Sequence, residues 1–136
     1  MRLILTSVLV DDQAKALSFY TDILGFRKKH DVDMGDARWL TVVSPESEDV
    51  ELLLEPDWNP QIRINDQPAA QVFKKALYDA GVPCTAFGVK DIQSEYERLV
   101  TAGVRFTLKP TPMGPVTAAI LDDGCGNLVQ LLEKNP

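Results

Sequence analysis

Residue types able to do chemistry are sparse in this chain. His30 is the only histidine, and Cys84 and Cys125 are the only cysteines, among 136 residues. One imidazole cannot build a two-histidine iron triad or a three-histidine zinc site, and a Ser-His-Asp hydrolase would have to use His30 itself. Two cysteines cannot form a disulfide framework or a four-cysteine zinc site, and a reducing compartment would keep both as thiols. Flanked by Lys28, Lys29 and Asp31, His30 reads as a solvated strand residue. Cys84 has no base beside it in sequence and reads as a small inner-strand residue, whereas Cys125, in a glycine-rich turn, reads as exposed. Glu51 is the carboxylate with the most suggestive setting. In Val50-Glu51-Leu52-Leu53-Leu54 a period of two places it opposite the aliphatic Val50, Leu52 and Leu54. There it could act as a general base, anchor a metal, or capture a cation or hydrogen-bond donor. Trp39 and Trp58 offer flat apolar surface for a ligand, with a core position as the alternative for Trp39. Arg38 and Arg105 could pair with an anionic substrate; alternation sets Arg38 opposite Trp39, so at most one of that pair faces a cleft.

Length and charge limit what these residues can serve. The chain is one domain's worth of sequence with a formal net charge of −6, which opposes attraction to nucleic acid and anionic membranes and leaves small molecules or a second copy as expected partners. No apolar run approaches the ~18 residues of a spanning helix. Met1-Arg2-Leu3-Ile4-Leu5 is broken by Ser7 and Asp11-Asp12 and lacks a cleavage site, so the expected location is the cytoplasm.

The elements that must position the residues follow from periodicity. Leu3 to Val10 reads as a strand ending at Asp11-Asp12, which suit a helix N-cap, and Ala16, Leu17, Phe19, Tyr20, Ile23 and Leu24 form the apolar stripe of a helix stopped by Gly25. Strands are expected over 26–33, 37–44 and 49–55, followed by a surface excursion from Pro56 to Gln67 and a helix over 69–80 opened by Pro68. A second pass comprises strand 84–89, helix 91–102 stopped by Gly103, and strands 104–108, 115–121 and 128–133.

The two passes are one unit repeated. A single offset places Val10 on Val89, Asp12 on Asp91 and Val50 to Leu54 on Val129 to Glu133, while Gly25 and Gly103 pair one residue out of step, so a slip lies inside the helices. Fold class is therefore α+β, two β-α-β-β-β modules related by duplication: module one about 1–55, a connecting loop and helix about 56–82, and module two about 83–136, in one domain over 1–136. With a helix on one face of each sheet, alternate strand residues line an open cleft on the other. Leu5, Ser7 and Leu9 pair by the repeat with Cys84, Ala86 and Gly88, and Glu51 pairs with Gln130. Four symmetric cleft positions result, Leu5 with Cys84 and Glu51 with Gln130. Glu51 would be their only formal charge, and apolar surroundings would raise its pKa.

Val10-Asp11-Asp12, Phe19-Tyr20 and Leu24-Gly25-Phe26, together with Asp123-Gly124-Cys125-Gly126-Asn127 before Leu128-Val129-Gln130-Leu131, resemble the signature of the vicinal oxygen chelate superfamily, which includes glyoxalase I, bleomycin-resistance proteins and extradiol dioxygenases. The resemblance covers essentially the whole chain. It implies a glyoxalase-like fold, a homodimer whose cleft can take residues from both chains, and, in metal-dependent members, a divalent ion held at the four symmetric positions. Glu51 matches a carboxylate ligand, but Leu5 cannot coordinate, Cys84 falls where histidine is usual and Gln130 where glutamate is usual, so no metal and no other cofactor is expected here. The resemblance also implies that the loop around Met113 borders the cleft, with a turn required by Pro112, Gly114 and Pro115 as the alternative. The leading expectation is a metal-independent small-molecule binder using Leu5, Ser7, Trp39, Trp58, Cys84, Met113 and Gln130 around Glu51. Alternatives are a glyoxalase-like lyase or isomerase with Glu51 as base or metal anchor, and an interaction module without a ligand.

Overall fold

The computed structural model describes residues 1–136. Strand β1 (Leu5–Val10) leads into helix α1 (Gln13–Ser18), which continues as a π-helical turn over Phe19–Ile23, and strands β2 (Arg27–Asp33), β3 (Arg38–Ser44) and β4 (Ser47–Pro56) complete the first module. A short hairpin, β5 (Arg63–Ile64) and β6 (Gln67–Pro68), precedes helix α2 (Ala69–Asp79). Strand β7 (Thr85–Gly88), helix α3 (Ile92–Thr101) and strands β8 (Phe106–Met113), β9 (Val116–Asp122) and β10 (Leu128–Lys134) form the second. The sheets have the same order, β1-β4-β3-β2 and β7-β10-β9-β8, with the first strand of each parallel to the last and the other pairs antiparallel. The fold is thus the duplicated α+β arrangement expected from the repeat.

The helix starts follow the sequence closely. Asp12 and Asp91 each accept the backbone N–H three residues on, from Lys15 and Ser94, at 3.0 Å. The slip between the modules has a physical form. The first helix holds one more residue between its cap and its terminal glycine, and the wider π-helical turn absorbs it, with Leu24 donating to the Phe19 carbonyl at 3.0 Å. Gly25 and Gly103 follow at φ +87° and +91°, a left-handed conformation that favours glycine.

Each helix covers one face of its sheet. Val8, Val10, Leu40, Val42, Leu52 and Leu54 pack against Ala16 and Tyr20 in the first core, and Ala119, Leu121, Val129 and Leu131 against Ile92 and Leu99 in the second. Phe19, Leu24 and Phe87 touch both cores and join the modules, and Phe87 meets the ring of Phe26 at 5.0 Å and that of Tyr20 at 6.4 Å.

Three expectations are corrected. Cys125 is completely buried in the first core rather than exposed, because its turn folds back under the first module. Between Pro56 and Gln67 the chain contains part of a hairpin, whose turn residues Asn65 and Asp66 lie at φ 50° and 62° as a primed two-residue turn requires. Strand β8 runs through Pro110 and Pro112 to Met113, where a loop is expected from sequence; it is an edge strand, so its prolines forfeit no hydrogen bonds on the unpaired side.

Candidate functional site

Strand alternation puts Glu51, Leu53 and Glu55 of β4 on the face away from the helix, with Leu5 beside Glu51, Ser7 beside Leu53 and Leu9 beside Glu55 on β1. In the second module Gln130 takes the place of Glu51, but its neighbour on β7 is Ala86. The expected pairing of Leu5 with Cys84 is therefore corrected to Leu5 with Ala86, since Cys84 precedes the first residue of β7. The four symmetric positions then hold one carboxylate, one amide and two aliphatic side chains, a donor set that does not fit a divalent ion.

Glu51 is not the lone charge of an apolar wall, and its predicted titration is reversed. Its carboxylate accepts a hydrogen bond from the Thr41 hydroxyl at 2.8 Å and lies 3.6 Å from both Lys29 Nζ and His30 Nε2. The Thr41 hydrogen bond first, then the charges of Lys29 and His30, outweigh desolvation and hold the group below the usual carboxylate range. His30, read from sequence as merely solvated, thus reaches the open face. A bulge explains it: Lys28 and His30 face consecutive residues Val42 and Thr41, so Lys29 is extra and both it and His30 approach Glu51. Nothing in Arg27-Lys28-Lys29-His30 marks that bulge.

The two tryptophans come together elsewhere on the same sheet. Trp39 of β3, exposed on the open face, and half-buried Trp58, just beyond β4, line one cavity of about 660 Å³ with Met34, Leu53 and Glu55. A second cavity, about 330 Å³, lies where α2 meets β1 and is lined by Ser7, Leu9, Glu55, Phe73, Leu77 and Cys84. Glu55 belongs to both. Of the residues expected to form one site, Trp39 and Trp58 share the larger cavity and Ser7 and Cys84 the smaller, whereas Leu5, Glu51 and Gln130 line neither. Met113 is exposed at the end of edge strand β8 and borders neither cavity. Both arginines are already paired with carboxylates: Arg38 grips both oxygens of Asp31 at 2.9 and 2.7 Å, and Arg105 binds Asp122 and the Tyr78 hydroxyl at 2.7 and 2.8 Å.

The cysteines exchange their expected accessibilities. Cys84 is exposed as a residue, yet partial burial of its sulfur, followed by the charge of Asp123, pushes its thiol up to about 11; burial pushes Cys125 up to about 12. Native protein should therefore be alkylated at Cys84 first, slowly near neutral pH and faster as pH rises, with Cys125 reacting only on unfolding. Mass mapping of labelled peptides checks this, and early modification of Cys125 would contradict its burial.

Residues 2–131 match the family model described as the Glyoxalase/Bleomycin resistance protein/Dioxygenase superfamily. The chain is 52% identical over 135 residues to the uncharacterized protein YurT of Bacillus subtilis (strain 168), covering 98% of this chain and 100% of that one. Among solved structures it is similar to UcmS2, with a TM-score of 0.82 and 31% identity over 97% of each chain. TnmS3, an antibiotic binding protein from Streptomyces sp. CB03234, shares the fold at a TM-score of 0.76 and 24% identity, covering 99% of this chain and 97% of that one.

Proposed function

The chain belongs to the glyoxalase/bleomycin resistance protein/dioxygenase superfamily, and on that premise we propose that it binds a small, flat organic molecule in the Trp39–Trp58 cavity without a metal. One observation carries the reading: the two tryptophans sit on different elements, yet both line a cavity within the ~300–1,000 Å³ span of small-molecule sites. Indole surfaces supply stacking area, and Leu53, 8% exposed, supplies an apolar wall. TnmS3, by its description an antibiotic binding protein, is built on the same frame, which supports a ligand of drug size. The alternative of a lyase or isomerase with Glu51 as base is less well supported, since a carboxylate held below its usual range is a weak proton acceptor. We further read residues 1–136 as one binding domain that acts as a cytoplasmic homodimer. Exposed Leu3, Ile4 and Val32 support the pairing; no helix is long and apolar enough to cross a membrane.

Trp39 and Trp58 are the only tryptophans, so tryptophan emission, excited selectively over tyrosine, reports on this cavity alone. In a screen of aromatic compounds of drug size, a hit is expected to quench that emission. Its affinity should fall by about 2 kcal/mol or more in Trp58→Ala or Trp39→Ala, measured by calorimetry. Binding unchanged in both variants would place the site elsewhere.

A further inference from the structure

We propose that the ligand of the Trp39–Trp58 cavity is an organic cation whose positive centre is held by Glu55. This rests on the binding reading above and names its chemical class. Glu55 lies beside Leu9 on β1, and continuing the β3–β4 register from Thr41 opposite Leu53 sets it across from Trp39. It is half-buried, it is the one side chain of β4 shared by both cavities, and it takes part in none of the molecule's ion pairs.

The neighbouring cations are already matched. Arg38 at the larger cavity is bound to Asp31, and Lys74 at the smaller lies 2.6 Å from Asp57 and donates to the Cys125 carbonyl at 2.7 Å. On the same strand Glu51 has Thr41, Lys29 and His30, so Glu55 is the carboxylate of β4 left facing the cavities without a counter-charge. Asp36, also lining the larger cavity, adds charge of the same sign. An anion entering there would meet two carboxylates, whereas a cation gains a partner in Glu55 and the negative faces of two indoles. The chain's net charge of −6 favours the same sign of ligand on approach. Because the smaller cavity is walled by Leu9, Phe73 and Leu77, the cationic centre would stand between a flat group against the tryptophans and an apolar arm under α2.

The test uses three flat three-ring probes at neutral pH: 9-aminoacridine as cation, acridine as neutral ring and 9-anthracenecarboxylate as anion, each titrated calorimetrically into wild type, Glu55→Gln, Glu51→Gln and Trp58→Ala. Wild type is expected to bind the cation about tenfold or more tighter than the other two. Glu55→Gln should remove most of that preference, Glu51→Gln should keep it, and Trp58→Ala should weaken all three. Equal binding of cation and anion by wild type overturns the cation inference, and a preference undiminished in Glu55→Gln overturns the assignment of the positive centre to Glu55, while Trp58→Ala sensitivity preserves the cavity reading in either case. Failure of all three probes to bind wild type, or insensitivity of every probe to Trp58→Ala, overturns the cavity reading and this inference with it.

Discussion

Replacing Asp123 with alanine is expected to lower the unfolding free energy by about 3–5 kcal/mol, read as a fall in the denaturant midpoint at unchanged slope. Asp123 is 1% exposed, and its two oxygens accept four hydrogen bonds. One takes the Cys125 and Asn127 backbone N–H groups at 2.7 and 3.0 Å, the other the Tyr20 hydroxyl at 2.8 Å and the Asn127 amide at 2.9 Å. Tyr20 comes from the first module and is completely buried, and the Asn127 amide also donates to the Leu9 carbonyl at 2.8 Å. The second module's closing turn is thereby fastened to the first. Alanine would strand the Tyr20 hydroxyl and the turn's N–H groups in a dry interior, where each unmade bond costs about 1–3 kcal/mol. Burial, then the charge of Asp123, push the Tyr20 phenol far above its ordinary value, so it stays a donor through the physiological range. A loss below about 1 kcal/mol would show that other contacts join the modules.

Lys74→Met should cost a similar ~3–5 kcal/mol, because it leaves Asp57 as a buried charge whose remaining side-chain partner is Gln71 at 3.4 Å. Lys74 and Asp57 side chains are 9% and 5% exposed, with the ammonium 2.6 Å from the carboxylate. A Cβ on Gly126 would stand 2.8 Å from Nζ, so the turn's backbone closes over the pair. The double variant Lys74→Met/Asp57→Leu should recover most of the loss, since removing both charges removes the desolvation penalty that one alone incurs. If the double variant is no better than Lys74→Met, the ammonium's bond to the Cys125 carbonyl outweighs the ion pair. Asp57 adjoins Trp58, so tryptophan emission in Lys74→Met also reports whether this pair holds the wall of the larger cavity.

How far the chain could be read in advance depended on the range of the interaction involved. Helix caps and terminal glycines are local, so Asp12, Asp91, Gly25 and Gly103 could be placed from their neighbours alone. The duplication is a property of the sequence itself, and even its one-residue slip was visible before the π-helical turn that accommodates it. Period-two alternation placed Glu51 on the open face and set Trp39 and Arg38 on opposite faces of β3, leaving open which of the two faces outward. What alternation cannot express is an irregularity in pairing: the bulge after Lys28 brings Lys29 and His30 to Glu51, and the start of β7 replaces Cys84 by Ala86 beside Gln130.

The α+β class, the repeated module, the outward face of Glu51 and the scarcity of metal-binding side chains are legible in the chain alone, because each rests on residue type and spacing. Packing settled the rest: Cys125 is core, Glu51 is matched by Thr41, Lys29 and His30, and Trp39, which faces outward, shares a cavity with Trp58 and Glu55. These are contacts between different elements, and their partners are selected by strand register and by how the modules and the connecting loop pack, which no pattern within one element encodes.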